Sequence, residues 1–181
     1  MNIGIVIPFC NGDEYIGACL ESIWASEQKC VRTYIVNNSD RPTDVHSFFA
    51  RHKMVRIIDV NRCIGFAAAN NVGANVAISE GADVLISLNQ DAVVAPNCIG
   101  ELVSPLESDR RIVAIAPITY EYDFGNIDAL FVKFYLSQCP ELIFDALNGV
   151  LREIYQVERV SGACLGMRVD SRRECGYFDP L

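Results

Sequence analysis

Short apolar runs alternate with amphipathic segments along the first two thirds of the chain. The apolar runs have the length of a strand, and their lack of polar positions is typical of strands that are covered on both faces of a parallel sheet. The pattern therefore predicts strands over residues 3–7, 31–36, 55–60, 84–88 and 112–116.

The segments between these runs have helical periodicity. Asn11 followed by Glu14 has the form of a capping box, and the apolar residues after it fall on one helical stripe. The predicted helices cover residues 15–24, 43–51, 66–79 and 96–106. Alternation of strands and helices predicts an α/β fold, a mostly parallel sheet with helices on both faces.

The alternation weakens after Pro117. Residues 127–136 and 141–151 have helical patterns, 155–160 and 163–169 are predicted to be extended, and 170–175 is predicted to be one helical turn. A chain of 181 residues without an internal repeat or a linker predicts a single domain.

Composition and charge narrow the class of protein. Half of the residues are apolar (51%), which predicts a compact globule, and the net charge of -8 argues against a partner that is a nucleic acid. The eight cysteines form no Cys-x-x-Cys pair, so we expect mostly buried, reduced thiols rather than a zinc site. The chain starts without a basic, apolar leader and has no run of roughly 20 apolar residues, which predicts a cytoplasmic protein.

Candidate chemistry follows the strand ends, because ligands of parallel sheets bind at the carboxyl ends of the strands. The first strand is followed by neither a dinucleotide-binding nor a phosphate-binding glycine motif. Residues 37–40, after the second strand, carry short polar side chains that could bond a base or ribose, or simply build a turn. Asp91, after the fourth strand, is placed to hold Mg²⁺ or Mn²⁺, or else caps a turn.

Other candidates have a plain structural interpretation beside the functional one. Gly65 and Asn71 flank the start of a predicted helix, where backbone donors could face a phosphate or the small residues could allow tight packing. Arg62 could assist such a site or be an ordinary solvated side chain. His46 and His52 have no metal-pair or triad spacing and are interpreted as surface or packing residues.

Taken in order, several of these stretches resemble family 2 glycosyltransferases, the inverting sugar-nucleotide enzymes of the GT-A fold. The similarity is greatest to the branch called rhamnosyltransferase-like. The matching stretches are residues 5–12, 35–39, 64–73, 88–91, and 160–168 with 176–179.

This resemblance implies a division of the chain and a set of site residues. Residues 1–117 would be the nucleotide-binding half and 118–181 the acceptor-side half of one GT-A domain, with 162–168 leading to the acceptor. Asp91 would contact the metal, Mg²⁺ or Mn²⁺, and Asn37 stands where the family commonly has an aspartate. The implied nucleotide-sugar site comprises Pro8, Phe9, Asn11, Asn37, Gly65, Asn71, Asn89 and Asp91.

The resemblance also implies the reaction. A sugar would pass, with inversion, from a nucleotide-sugar donor to a glycan or lipid-linked acceptor, and a peripheral position at the inner membrane face would follow. Family members continue beyond a Phe-Asp motif, here Phe178 and Asp179, to a Glu-Asp pair that supplies the general base. We expect these residues to bind the donor but to transfer sugar poorly or not at all, as a fragment or a truncated product, and assign no catalytic residue.

Two alternatives remain open at this point. The chain could be a nucleotide-binding module without catalysis, or one subunit of an assembly that borrows its base. A nucleotidylyltransferase is disfavoured because residues 8–12 lack a basic side chain. A truncated chain would also expose apolar surface, which favours association into a homo-oligomer.

Overall fold

The computed structural model describes residues 1–29, 31–46, 54–122, 125–171, 176, 178 and 179. The strands of this part of the chain are β1 (Ile3–Phe9), β2 (Val31–Asn37), β3 (Val55–Asp59), β4 (Val84–Leu88), β5 (Ala114–Ile115) and β6 (Cys164–Arg168). Its helices are α1 (Asp13–Trp24), α2 (Phe66–Ser79), α3 (Cys98–Ser108), α4 (Ala129–Leu136) and α5 (Pro140–Asn148).

The strands form one sheet in the order β3-β2-β1-β4-β6-β5. β1 is parallel to β2 and β4, and β2 is parallel to β3, whereas β6 is antiparallel to both of its neighbours, β4 and β5. The sheet is therefore mostly parallel, and the predicted α/β fold is confirmed.

Alternate residues of β1 supply the two faces of the sheet. Ile5 and Ile7 belong to the apolar cluster that contains α1 and α3, while Val6 belongs to the cluster that contains α2. Every residue of β1 and β4 is buried. This explains why these strands read as continuous apolar runs, because helices cover both faces.

Small residues allow α2 to lie close to the sheet. A Cβ built at Gly73 would lie 2.4 Å from Cγ1 of Val6 and 2.8 Å from Cγ2 of Val36, so close that one of these groups would have to move. The absence of a side chain at Gly73 therefore sets the separation of α2 from β1 and β2.

Polar side chains fix both ends of α2. At its start, Oδ1 of the buried Asn38 accepts a hydrogen bond from the Ile64 N–H at 2.7 Å. At its end, Glu80 accepts from Arg32 at 2.7 Å and from the Tyr34 hydroxyl at 3.0 Å. These contacts hold the two ends of α2 against β2 and the residue that follows it.

The chain divides into two compact units. The first contains Met1–Ile115 and Gly162–Leu181, and the second contains Ala116–Ser161. The second unit has its own apolar cluster, formed by Phe131 and Tyr135 of α4 with Leu142 and Ile143 of α5. The predicted division of one domain into halves 1–117 and 118–181 stays a prediction.

Most predicted elements are present, and the boundaries of α2 and β4 agree with the sequence pattern. The predicted capping box is wrong. α1 begins after Gly12, without a side-chain cap, because the Asn11 backbone has a positive φ of 51° and its amide bonds elsewhere. The fifth strand, which the pattern predicts over residues 112–116, is only two residues long, and residues 155–160, which are predicted to be extended, form no strand.

Other predictions fall partly outside the described residues. These include most of the helix over 43–51, the end of the turn over 170–175, and His52. The six cysteines that the structure describes are all free. Cys19, Cys139 and Cys164 are buried and Cys10 and Cys98 are half-buried, whereas Cys63 is exposed and departs from the expectation of mostly buried thiols.

Candidate functional site

The parallel strands end at one level. Phe9 pairs with Asn37, and Asn37 pairs with Asp59, so the last residues of β1, β2 and β3 are neighbours in the sheet. Paired residues project to the same face of a sheet. The two polar members of this row, Asn37 and Asp59, are therefore brought into contact by the register.

A cleft of about 680 Å³ opens at this edge of the sheet. It is built by the ends of β2 and β3 and the segments that follow them, and most of the residues that line it are polar. The residues that line it are Asn37, Ser39, Asp40, Arg41, Pro42, Thr43, His46, Asp59, Asn61, Arg62 and Cys63.

Asp59 is held by two donors in this cleft. Its Oδ1 accepts a hydrogen bond from Nδ2 of Asn37 at 2.8 Å and lies 3.0 Å from Nε2 of His46. Burial opposes ionisation of Asp59, but the hydrogen bonds from Asn37 and His46 and the charge of His46 outweigh it and lower the pKa of the carboxyl. Asp59 is therefore ionised near neutral pH.

Two arginines bring positive charge to an otherwise acidic protein. Arg41 donates from Nη2 to the backbone carbonyl of Asn11 at 3.1 Å, and the exposed Arg62 lines the same cleft. Guanidinium groups suit phosphate, because they offer several donors in a fixed plane. The cleft thus combines groups that bind anions with groups that accept hydrogen bonds.

A network of hydrogen bonds joins the loops after β1, β2 and β4. The Gln90 side chain accepts from the Cys10 N–H at 2.8 Å and donates to the Cys10 carbonyl at 3.1 Å. The next residue, Asn11, donates from its backbone to Oγ of Ser39 at 3.0 Å and from Nδ2 to Asp40 at 2.8 Å. The three loops therefore hold one another in place.

Asn11 carries an unused acceptor. Its Oδ1 is buried and has no hydrogen-bond partner within the described parts of the chain. A buried acceptor without a partner is costly, and such groups often face a ligand or water. The contacts of Asn11 with Asp40 and Arg41 place it at the rim of the cleft, and its Oδ1 can still accept a hydrogen bond there.

Asp91 is exposed on the loop after β4 and is not part of the cleft lining. Within the described residues its carboxylate makes no hydrogen bond or ion pair, and no group of three or more His, Cys, Asp or Glu side chains gathers around a common point. The charge of Asp91 acts on Cys19 of α1. Burial of the Cys19 thiol, and to a smaller extent the charge of Asp91, raise the pKa of Cys19 to about 12. Mg²⁺ is commonly held by only one or two carboxylates together with substrate phosphates, so a free Asp91 fits a divalent cation shared with a ligand.

The remaining predicted residues have clear structural surroundings. Pro8 and Phe9 are buried strand residues, and the Phe9 carbonyl accepts from the Asn38 N–H at 2.7 Å. Gly65 has a φ of 84° and precedes α2. The Asn71 amide exchanges two hydrogen bonds with the Phe178 backbone, at 2.8 and 3.1 Å.

The structure also places Asn89 and adds residues that the sequence reasoning missed. The Asn89 N–H donates to the Ala163 carbonyl at 2.9 Å, which ties the loop after β4 to the start of β6. The sequence pattern includes Asp59 only as part of the predicted strand over 55–60 and interprets His46 as a surface or packing residue, yet both line the cleft. The contact between Asp59 and Asn37 depends on strand register, which no local sequence pattern reveals.

Comparison with known proteins identifies the family. The family model described as glycosyl transferase family 2 matches residues 4–175. The chain belongs to glycosyl transferase family 2. No curated protein sequence matches it significantly.

Solved structures share the fold of this family 2 chain. The mannosyltransferase PcManGT from Pyrobaculum calidifontis, solved with GDP-Man and Mn²⁺, superposes with a TM-score of 0.68 at 15% identity, over 99% of this chain and 48% of that one. TarS of S. aureus gives 0.70 at 10% identity, over 99% and 31%. TarS 1–349 with UDP gives 0.66 at 15% identity, over 99% and 51%.

The family 2 chain thus spans about a third to a half of the length of these structures. At such low identity the likeness concerns the fold, and the rhamnosyltransferase-like branch stays a prediction. Within the described residues, none of the helices is both long and apolar enough to span a bilayer.

Proposed function

We propose that this chain is the donor-binding part of a glycosyltransferase that takes a sugar from a nucleotide-sugar donor. The observation that carries the proposal is the polar cleft at the carboxyl ends of β2 and β3 in a family 2 chain. Solved relatives of the same fold hold GDP-Man and UDP, which supports a nucleoside diphosphate as the common part of the ligand.

The cleft would bind the nucleoside part of the donor. Asn37 and the adjacent polar residues offer hydrogen bonds to a base or ribose, and Arg41 and Arg62 offer positive charge to the diphosphate. Asn11 would act from the rim through its unpartnered Oδ1. The buried Pro8 and Phe9 would contribute only by fixing the backbone of the loop.

The phosphate side of the donor would lie towards the loop after β4. We propose that Asp91, with Asn89 beside it, holds Mg²⁺ or Mn²⁺ there, and that Gly65 and Asn71 flank the phosphates. A divalent cation at that place supplies positive charge that stabilises the departing diphosphate. Asp91 itself would orient the cation through a carboxylate that no described residue occupies.

We further propose a glycan or lipid-linked acceptor and inversion at the anomeric carbon, with the general base unassigned. A cytoplasmic position at the inner membrane face and self-association belong to the same proposal. Large apolar side chains are exposed in the second unit, including Leu130, Phe144, Leu147 and Val150, which supports such contacts. Sedimentation and vesicle flotation would test them; a chain that is monomeric and does not float would remove this part.

The proposal is tested by titration of UDP and GDP, with and without MnCl₂, into the wild type and Asp91→Ala. The wild type should bind one of them more tightly with Mn²⁺, and Asp91→Ala should lose that gain. Glu101→Ala, which removes an exposed carboxylate on α3, is the control and should behave as the wild type. Binding of neither nucleotide by the wild type would refute the proposed function.

Equal affinity of the wild type and Asp91→Ala in MnCl₂ would remove Asp91 alone from the site. Transfer of radiolabelled sugar to an acceptor by the purified chain would establish an enzyme. Nucleotide binding without any transfer would instead favour the module that binds but does not catalyse.

A further inference from the structure

One carboxylate oxygen of Asp59 has no hydrogen-bond partner among the described residues. Both described hydrogen bonds, from Asn37 and His46, reach Oδ1, and Oδ2 accepts none within the described residues. Asp59 lines the cleft and is a little over one third exposed, at 38%. A carboxylate can accept about four hydrogen bonds, so Asp59 can still accept hydrogen bonds from a ligand.

The hydrogen bonds to Oδ1 also fix how the carboxylate is turned. Asn37 and Asp59 are register partners on adjacent strands, so their contact is set by the backbone of the sheet. A group held by the sheet and by two donors loses little freedom when a ligand binds, which favours affinity.

We propose that Asp59 is a specificity residue for the donor, whose Oδ2 accepts a hydrogen bond from the nucleoside, and that Asn37 positions it. This inference rests on the proposed nucleotide binding and deepens it. An ionised carboxylate only accepts, so its partner is a donor: an N–H of the base or an O–H of the ribose.

The charge of Asp59 makes the proposal sharply testable. A nucleoside diphosphate is an anion, so removing a nearby negative charge should by itself strengthen binding. A direct hydrogen bond to Oδ2 predicts the opposite. In Asp59→Asn the amide oxygen keeps the contacts with Asn37 and His46, which turns the NH₂ group towards the ligand, where it meets the donor of the nucleoside.

The first experiment measures the affinity of the full chain for UDP and GDP by calorimetry. Asp59→Asn should weaken binding of the preferred nucleotide by about tenfold or more, since hydrogen bonds to charged groups are the stronger ones. The matched control is Asp44→Asn, an exposed carboxylate that does not line the cleft; it should bind as tightly as the wild type or more tightly.

Stability is checked by thermal melting of each variant. Asp59→Ser is a second variant that removes the carboxylate but keeps a hydroxyl for Asn37, and the same loss of affinity is expected. Tight nucleotide binding by a folded Asp59→Asn or Asp59→Ser protein would overturn the inference. Wild-type protein that binds neither nucleotide would instead overturn the proposed function.

The second experiment separates base from ribose. The ligands are N3-methyl-UDP or N1-methyl-GDP, which lack the base N–H, and the 2′-deoxy and 3′-deoxy forms, which lack a ribose O–H. One of these changes should weaken binding to the wild type and have no further effect in Asp59→Asn, the mark of a direct interaction. Equal losses in both proteins for every analogue would overturn the assignment.

Discussion

Single polar side chains hold the loops around the cleft. Gln90 does so by pairing with both backbone groups of Cys10, as a neighbouring strand would. It also lies over Gly12, where an added Cβ would come within 2.4 Å of the Gln90 amide. The loop after β1 is therefore fitted to one particular side chain from the loop after β4.

Replacement of Gln90 by glutamate tests this fit. Gln90→Glu keeps the size but loses the donor to the Cys10 carbonyl and sets a carboxylate against it, so we expect a loss of about 1–3 kcal/mol in the free energy of unfolding. Urea denaturation measures it. Gln28→Glu is the control, because the one side-chain hydrogen bond of Gln28 within the described residues is exposed and reaches the Lys29 carbonyl, and it should change stability little. Equal effects of the two variants would contradict the role of Gln90.

A second prediction at this scale concerns pH. The buried Arg168 donates a hydrogen bond to Asp170. This hydrogen bond is the main reason why the pKa of Asp170 lies below its usual 3.8, and the positive charge of Arg168 lowers it further. Because the pKa of Asp170 is lower in the folded state than in the unfolded state, its carboxylate stabilises the fold at pH values above the unfolded pKa. This stabilisation is lost as the pH falls through the lowered pKa of the folded state.

Asp170→Asn should therefore lower the melting temperature at pH 6 and approach the wild type as the pH falls well below 4. Thermal melts across this range measure the difference. Asp83→Asn, whose carboxylate accepts only the Asn2 backbone N–H among the bonds described, is a comparison without a cationic side chain. A difference between wild type and Asp170→Asn that did not shrink with acid would contradict the assignment.

At the scale of residues, the sequence pattern predicts some members of the candidate site and omits others. Asn37 and Asn11 are predicted because they lie after the predicted strands over 31–36 and 3–7. Asp59 ends a strand just as Asn37 does, but its role depends on the register that sets it beside Asn37. The capping box at Asn11 failed because Ser39 and Asp40, far along the chain, compete for the groups of Asn11.

At the scale of elements, the close approach of α2 to β1 and β2 shapes one face of the sheet. The buried face of α2 carries small residues, with Gly73 opposite Val6 and Val36. A buried Ser87 on β4 donates to Oδ1 of Asn70 at 2.7 Å and so satisfies the one polar side chain on that face.

Two glycine replacements, one in each of two helices, separate packing from helix propensity. Gly73→Ala gains helix propensity but forces a methyl into Val6, so we expect a net loss of about 1–3 kcal/mol. Gly17→Ala in α1 meets nothing within 4 Å and should gain about 0.5–1 kcal/mol. Chemical denaturation compares them, and a stabilised Gly73→Ala protein would show that the sheet relaxes to admit the methyl group.

The sequence predicts these elements well where burial is complete. β4 and α2 have the expected boundaries, because a strand covered on both faces leaves an unbroken apolar run. β5 was predicted as five residues and has two, since it pairs only with β6. β6 was predicted to be extended, but its antiparallel position beside β4 could not be foreseen from local pattern.

At the scale of the whole molecule, the sheet and the cleft lie within the first unit. All residues that line the cleft fall between 37 and 63, and the strands end at Ile115 and resume at Cys164. The second unit, Ala116–Ser161, is an insertion between β5 and β6, which are antiparallel neighbours.

Replacement of residues 116–161 by a short Gly/Ser linker should therefore leave a folded protein. Ile115 and Gly166 are register partners, so a hairpin can join β5 to β6. We expect unchanged affinity for the nucleoside diphosphate by calorimetry and loss of any acceptor-dependent transfer. If the full chain binds the nucleotide and the folded deletion variant does not, the second unit is needed for donor binding.

The place of β6 in the sheet has a consequence for synthesis on the ribosome. β4 is flanked by β1 on one side and by β6 on the other, and β6 is separated from it by more than seventy residues of sequence, from Leu88 to Cys164. Until residue 168 has left the exit tunnel, the unpaired edge of β4, an almost wholly apolar strand, is open to pairing with other nascent chains. When translation of residues 89–168 is slow, the edge of β4 stays exposed for longer. The yield of native protein should then depend on chaperones that cover β4 until β6 is made.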